Sequence, residues 1–139
     1  MGRWLWVLAA LAGPTAEPNA GAIGSPSACP STVRALVGID PDDSRLLGDH
    51  LIVVMKSARR IMRFRNGALM RTNGAAACWM MGLGNAPVGH KMREGDGKTP
   101  EGWHRTSDKP WSQWYAAIAV HYPNRQDAVA ARADGRLTA

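Results

Sequence analysis

The run Gly89-His90-Lys91-Met92-Arg93-Glu94-Gly95-Asp96-Gly97-Lys98-Thr99-Pro100-Glu101-Gly102 constrains this chain more than any other segment. Its fourteen residues hold four glycines, one proline and seven ionisable side chains between two apolar stretches. Glycine reaches positive φ at no steric cost, and proline fixes φ. Such a density of special backbone positions predicts a loop with a defined shape. Thr99-Pro100-Glu101-Gly102 reads as a tight turn that delivers Trp103 to the start of a strand.

The flanks read as β-structure. Leu51-Ile52-Val53-Val54-Met55 is a continuous apolar run of strand length, expected to be buried on both faces. Lys56 to Arg60 turns the chain. Ile61 to Arg65 then alternates, with Met62 and Phe64 on one face and Arg63 and Arg65 on the other. Asn66-Gly67 tolerates positive φ at both residues and predicts a hairpin, with Ala68 to Arg71 returning as partner. Ala75 to Leu83 is another apolar run, leading into the glycine loop. Gly102-Trp103-His104-Arg105 resumes a strand, and residues 111–122 contain one more, with Ile118, Val120 and Tyr122 on one face. After Tyr122-Pro123, Asn124 is an N-cap with Asp127 three residues on, and an alanine-rich helix runs to Asp134, with Gly135 at C′. The fold class expected is mainly β (α+β): an antiparallel sheet or sandwich with one short C-terminal helix. Its long apolar strands lack enough following structure to cover them, so an exposed apolar edge is expected.

Three site chemistries fit the glycine loop poorly. A phosphate-binding loop needs Lys directly after its second spaced glycine and then Ser or Thr. Here His90 follows Gly89, and Met92 follows Lys91. His90, Glu94, Asp96 and His104 match no common zinc spacing. Glu94 and Asp96 are too few carboxylates for a calcium loop. No metal and no cofactor is implied.

The N-terminus reads as a secretory signal over residues 1–20. Arg3 supplies the positive charge, Trp4 to Ala12 a short apolar core, and Pro18-Asn19-Ala20-Gly21-Ala22 a cleavage region. The apolar stretch is shorter than the roughly 20 residues a bilayer span needs. The expectation is an exported protein of the periplasm or envelope with no membrane span after cleavage. Residues 21–48 read as a linker and irregular segment. The formal charge is +6, and it stays there without Arg3 and Glu17. That balance suits an anionic envelope polymer. The arginines are scattered instead of clustered with interleaved aromatics, which argues against nucleic acid. Two cysteines, Cys29 and Cys78, are present. Export permits a disulfide between them; the apolar flanks of Cys78 equally suit a small buried hydrophobe.

Residues 49–139 resemble the catalytic domain of the L,D-transpeptidase (YkuD-type) family, in its N-terminal part. The pieces that carry the resemblance are Arg65-Asn66-Gly67, Gly82-x-Gly84, Gly89-His90-Lys91, Glu94-Gly95-Asp96-Gly97, Thr99-Pro100-Glu101-Gly102, and His121-Tyr122-Pro123-Asn124 with Asp127. The resemblance implies a YkuD-like sheet and cysteine acyl transfer between peptidoglycan stem peptides, the thiolate releasing D-alanine before a neighbouring amine resolves the thioester. It also implies that the loop shapes a substrate cleft, with His90, Lys91, Glu94, Asp96 and Thr99 as candidates.

The family's His-Gly and Gly-Cys block has no counterpart here. None of His50, His90, His104 or His121 precedes a glycine, and neither cysteine follows one. No residue present takes a catalytic role, and the expectation is a truncated domain without transferase activity. The alternatives are a non-catalytic envelope- or peptidoglycan-binding remnant, or the N-terminal half of a murein-stem hydrolase of the same family.

Overall fold

A computed structural model describes residues 5–10, 29–36, 38–114 and 117–137. The chain forms β1 (Leu5–Ala10), β2 (Leu51–Met55), β3 (Arg60–Arg65), β4 (Ala68–Leu69), β5 (Arg71–Thr72), β6 (Ala75–Ala76), β7 (Cys78–Met80), β8 (Gly102–Lys109), β9 (Ala117–Val120) and α1 (Arg125–Ala133). Among the described residues, seven strands make one sheet in the order β4-β3-β2-β1-β8-β9, with β7 also on β3; β5 and β6 form a separate hairpin. All pairings are antiparallel except that of β1 with β2. The architecture is therefore mostly antiparallel sheet with one helix, as the residue pattern predicts.

β2 owes its central place to composition. Leu51, Ile52, Val53 and Val54 are all buried, which only a strand covered on both faces achieves. Leu51 and Val53 pack with Met62, Phe64, Val33, Leu36 and Leu46 on one face. Ile52 and Val54 meet Ile61 and Met81 on the other. Alternation in β3 follows the expected pattern: Met62 and Phe64 are buried, Arg63 is half-buried and Arg65 exposed.

Asn66 and Gly67 both take positive φ, 49° and 78°, and close the β3–β4 hairpin. Asn73 and Gly74 repeat the device between β5 and β6 at 51° and 79°. That second turn cuts the expected return strand short after Leu69. It also splits the apolar run from Ala75 to Leu83 between two short strands. Ala77 is fully buried, yet Trp79 and Met80 are exposed, because β7 lies against β3 alone at the sheet's margin. Apolar composition there produced an edge strand with bare side chains.

The described residues of 33–36 and 38–48 form no β-strand or α-helix, but they are more than a spacer. Two short 3-10 turns, Val33–Ala35 and Ser44–Leu47, drop Val33 and Leu46 into the core at 1% exposure each. The Asp43 carboxylate accepts the Arg45 N–H to start the second turn. The Arg45 guanidinium, 4.1 Å from the ring centroid, lies over Trp103. A disulfide joins Cys29 to Cys78. Backbone bonds from Val33 N–H to Gly67 C=O and from Leu69 N–H to Ser31 C=O hold the same stretch beside the hairpin.

The segment read as a secretory leader has a structural place too. Leu5–Ala10 lies between β2 and β8, in register with five residues of each. The rest of the signal and linker assignment, residues 1–4 and 11–28, lies outside the described residues. Among the described residues, no helix is long and apolar enough to cross a membrane.

Candidate functional site

Two features sit where the glycine loop meets the sheet: a groove and a polar network. The groove, of about 580 Å³, runs across the less covered face. Ile52, Val54, Ile61 and Met81 wall it from the β2–β3 side, and Ala117, Ile118 and Val120 from β9. Thr99 and Pro100 of the loop, His104 and Asp108 complete the lining. Ile118 and Val120 are each more than 40% exposed along it. An apolar trough with a few polar groups is the usual make-up of a site for an extended, partly apolar ligand.

His104 is 1% exposed. Its Nε2 donates to the Glu101 carbonyl at 3.1 Å, the only role open to a ring nitrogen facing a carbonyl oxygen. Its Nδ1 is buried and has no hydrogen-bond partner among the described residues.

The polar network is built on Lys56, the residue that follows β2. Its ammonium donates to the Gly89 carbonyl at 2.7 Å, the Thr99 carbonyl at 3.1 Å and Glu101 Oε1 at 2.7 Å. Both side chains of the Lys56–Glu101 pair are under 10% exposed. A lysine donates at most three hydrogen bonds, so this one is saturated. Lys56 thus clasps both ends of the segment that begins at Gly89 and closes at Glu101.

Glycines give the loop its shape. Gly89, Gly95, Gly97 and Gly102 all take positive φ. Gly84 is required for a different reason: a Cβ there would overlap the Gly97 carbonyl. The Asp96 carboxylate folds the middle of the loop onto itself. It accepts the N–H groups of Met92 at 2.7 Å, Arg93 at 3.0 Å and Lys98 at 3.0 Å, and the Lys91 ammonium at 3.0 Å. Those bonds, the Met92 amide first, hold the Asp96 carboxyl well below the usual carboxylate range.

The helix locks the loop's far side. Asn124 and Asp127 form a reciprocal capping box, and Gly135 at φ 71° takes the C′ position. The Gly135 and Arg136 amides donate back to the carbonyls of Arg132 and Ala131, completing the Schellman arrangement. Asp127 pairs at 2.9 Å with His90 Nε2, while His90 Nδ1 accepts the Glu101 N–H at 3.0 Å. Tyr122 donates its hydroxyl to the Lys91 carbonyl at 2.8 Å. Burial, and then the nearby Asp127 charge, push the Tyr122 phenol above its ordinary pKa. Asn124 Nδ2 donates to the Trp103 carbonyl, and Arg136 Nη1 to that of Met92.

None of the described cavities is lined by all five cleft candidates. Thr99 lines the large groove. His90 and Lys91 line a smaller cavity of about 230 Å³ against the helix, with Tyr122 and Asp127. Asp96 turns inward on its own loop, and Glu94 is exposed. Among the described residues, no three His, Cys, Asp or Glu side chains gather as metal ligands.

Sequence reasoning placed Lys56 in a turn and missed its role. The available signal was a lysine continuing a strand buried on both faces, where an ammonium needs acceptors. Comparison with known proteins finds no match for this chain among family models, curated proteins or solved structures.

Proposed function

We propose that this chain is an exported, peptidoglycan-facing protein of the L,D-transpeptidase (YkuD-type) kind that binds murein stem peptides without carrying out acyl transfer. The sequence motifs support the family reading: the Asn-Gly hairpin, the glycine loop and the Tyr-Pro-Asn helix entry. The loop's built shape is consistent with a cleft-forming role.

One observation carries the non-transferring part. Both cysteine sulfurs of the chain are joined in the Cys29–Cys78 disulfide. Acyl transfer of this kind needs a thiolate with an adjacent base and oxyanion donors. Cys78 lies on the marginal strand β7, packed against the main core, and belongs to neither the groove lining nor the loop. In the groove, apolar walls suit D-alanine methyls, and Asp108 offers a carboxylate to a stem-peptide amine. The formal charge of +6 adds attraction to an anionic sacculus.

Sedimentation with purified peptidoglycan tests the binding. The oxidised protein is expected to be retained at moderate salt, and Ile118→Asp, on the groove wall, to lower retention several-fold without altering the melt. Absence of retention removes the binding reading. Intact-mass analysis after exposure to a carbapenem tests the chemistry. The expected spectrum is unmodified protein, and an acyl adduct on Cys78 would overturn the assignment.

A further inference from the structure

The centre of the main sheet is filled by residues whose composition is that of a secretory leader. Leu5–Ala10 pairs in parallel with β2 from Trp6↔Leu51 to Ala10↔Met55. Its other edge pairs antiparallel with β8 from Leu5↔Thr106 to Ala9↔Gly102. β2 has only β3 on its far side, and β8 only β9. Among the described residues, β1 is therefore the sole strand that joins the β2–β3 half of the sheet to the β8–β9 half.

Take β1 away and two strand edges face each other across a slot one strand wide. β2 is buried on both faces, so unpaired backbone groups along it have little access to water. Two open edges aligned this way form a template that an extended segment satisfies on both sides at once. The requirement is backbone-level: an extended run of about six residues with no proline, since a central strand donates to both neighbours.

We propose that the slot between β2 and β8 is a strand-acceptor site whose occupant is the chain's own Leu5–Ala10, held in cis and replaceable in trans by the same segment. Targeting and sheet completion are then competing uses of one sequence. A leader engaged by an export or cleavage machinery leaves the slot open, and a leader docked in the sheet is withheld from that machinery. This inference does not depend on the transpeptidase reading, and the groove between β2 and β9 described above belongs to the chain with Leu5–Ala10 docked.

The full chain tests it, with a protease recognition sequence replacing residues 18–22. After cutting, the fragment bearing Leu5–Ala10 is expected to co-elute with the body in native size exclusion. Hydrogen exchange should show Leu51–Met55 and Gly102–Thr106 still protected. Separation of the fragment under native conditions overturns the proposal.

The nicked complex is next mixed with excess labelled peptide of residues 4–12, at a urea concentration just below the unfolding midpoint. Exchange is expected for the natural peptide and at least ten-fold less for its Val7→Pro counterpart. Entry of both peptides alike would show nonspecific apolar capture, and entry of neither would show no acceptor. Either result overturns the assignment.

Discussion

Around β2 and β3 the chain is held by carbon, whereas from Gly84 to Arg136 it is held by nitrogen and oxygen. The first region buries Phe64, Leu46, Leu51, Met62, Val33 and Val53 almost completely and needs few polar contacts beyond its ladders. The second buries only Ala131 among the apolar side chains of its helix and relies on Lys56, His90, Asp96, Tyr122, Asn124 and Asp127. Apolar packing is non-directional and fixes a fold through volume. A hydrogen-bonded network fixes particular atoms, which is what a ligand-facing loop needs. The difference explains why side-chain exposure is low in one region while the other depends on glycine φ values.

The largest break in this comparison comes from Phe64→Ala. Phe64 is fully buried at the middle of the carbon-held region. Losing its ring and leaving a cavity is expected to cost about 3–5 kcal/mol. Urea melts should show the midpoint falling with little change in slope. A loss under about 1 kcal/mol would mean that this core repacks freely, and the contrast between the regions would fail.

Next is Lys56→Met, expected to cost about 3 kcal/mol because Glu101 is left buried without its cation. The double change Lys56→Met with Glu101→Leu should recover most of that loss. Calling the network specific in place of merely stabilising depends on this recovery. If the double variant is as unstable as the single, the pair itself supplies net stability and the distinction blurs.

Smaller again is Asn124→Ala. It removes the capping-box acceptor for the Asp127 N–H and the donor to the Trp103 carbonyl. A loss of about 1 kcal/mol is expected, read by circular dichroism melts. Hydrogen exchange should locate the loosening in α1 and at His90, with Leu51–Met55 unaffected.

Legibility from the residues divides along the same line. β2, the Asn66-Gly67 hairpin and the Asn124/Asp127 cap were readable because each is decided within a few residues. Lys56 was not, since its acceptors Gly89, Thr99 and Glu101 lie more than thirty positions away. Trp79 and Met80 look like core by composition, and only the sheet order reveals β7 as marginal. Leu5–Ala10 shows the sharpest ambiguity: an apolar run of this length suits a leader and a central strand equally, and periodicity cannot separate them. Of the cleft candidates, the loop's shape was foreseeable from its glycines, while the scatter of His90, Lys91, Glu94, Asp96 and Thr99 over different surfaces was not.

The smallest effect belongs to Asp96, and it is read as a pH window. Its carboxylate is stabilised by the amides of Met92, Arg93 and Lys98 and by the Lys91 ammonium, so its folded-state pKa lies below the ordinary 3.8. A depressed carboxyl pKa contributes stability that is fully present above the unfolded value and is lost as pH falls through the folded one. The loop should therefore hold its shape from neutral pH down past about pH 4, where unpaired carboxylates have begun to protonate. Backbone amide shifts of Met92, Arg93 and Lys98 report this directly, because all three N–H groups donate to the same carboxylate. They are expected to stay constant to below pH 3.8 and then move together. In Asp96→Asn the same three shifts should differ from wild type at neutral pH and show no shared transition. Titration of the wild-type amides at or above pH 4 would mean that the carboxylate is not held by the loop, and the polar region would lose the anchor that most distinguishes it from the core.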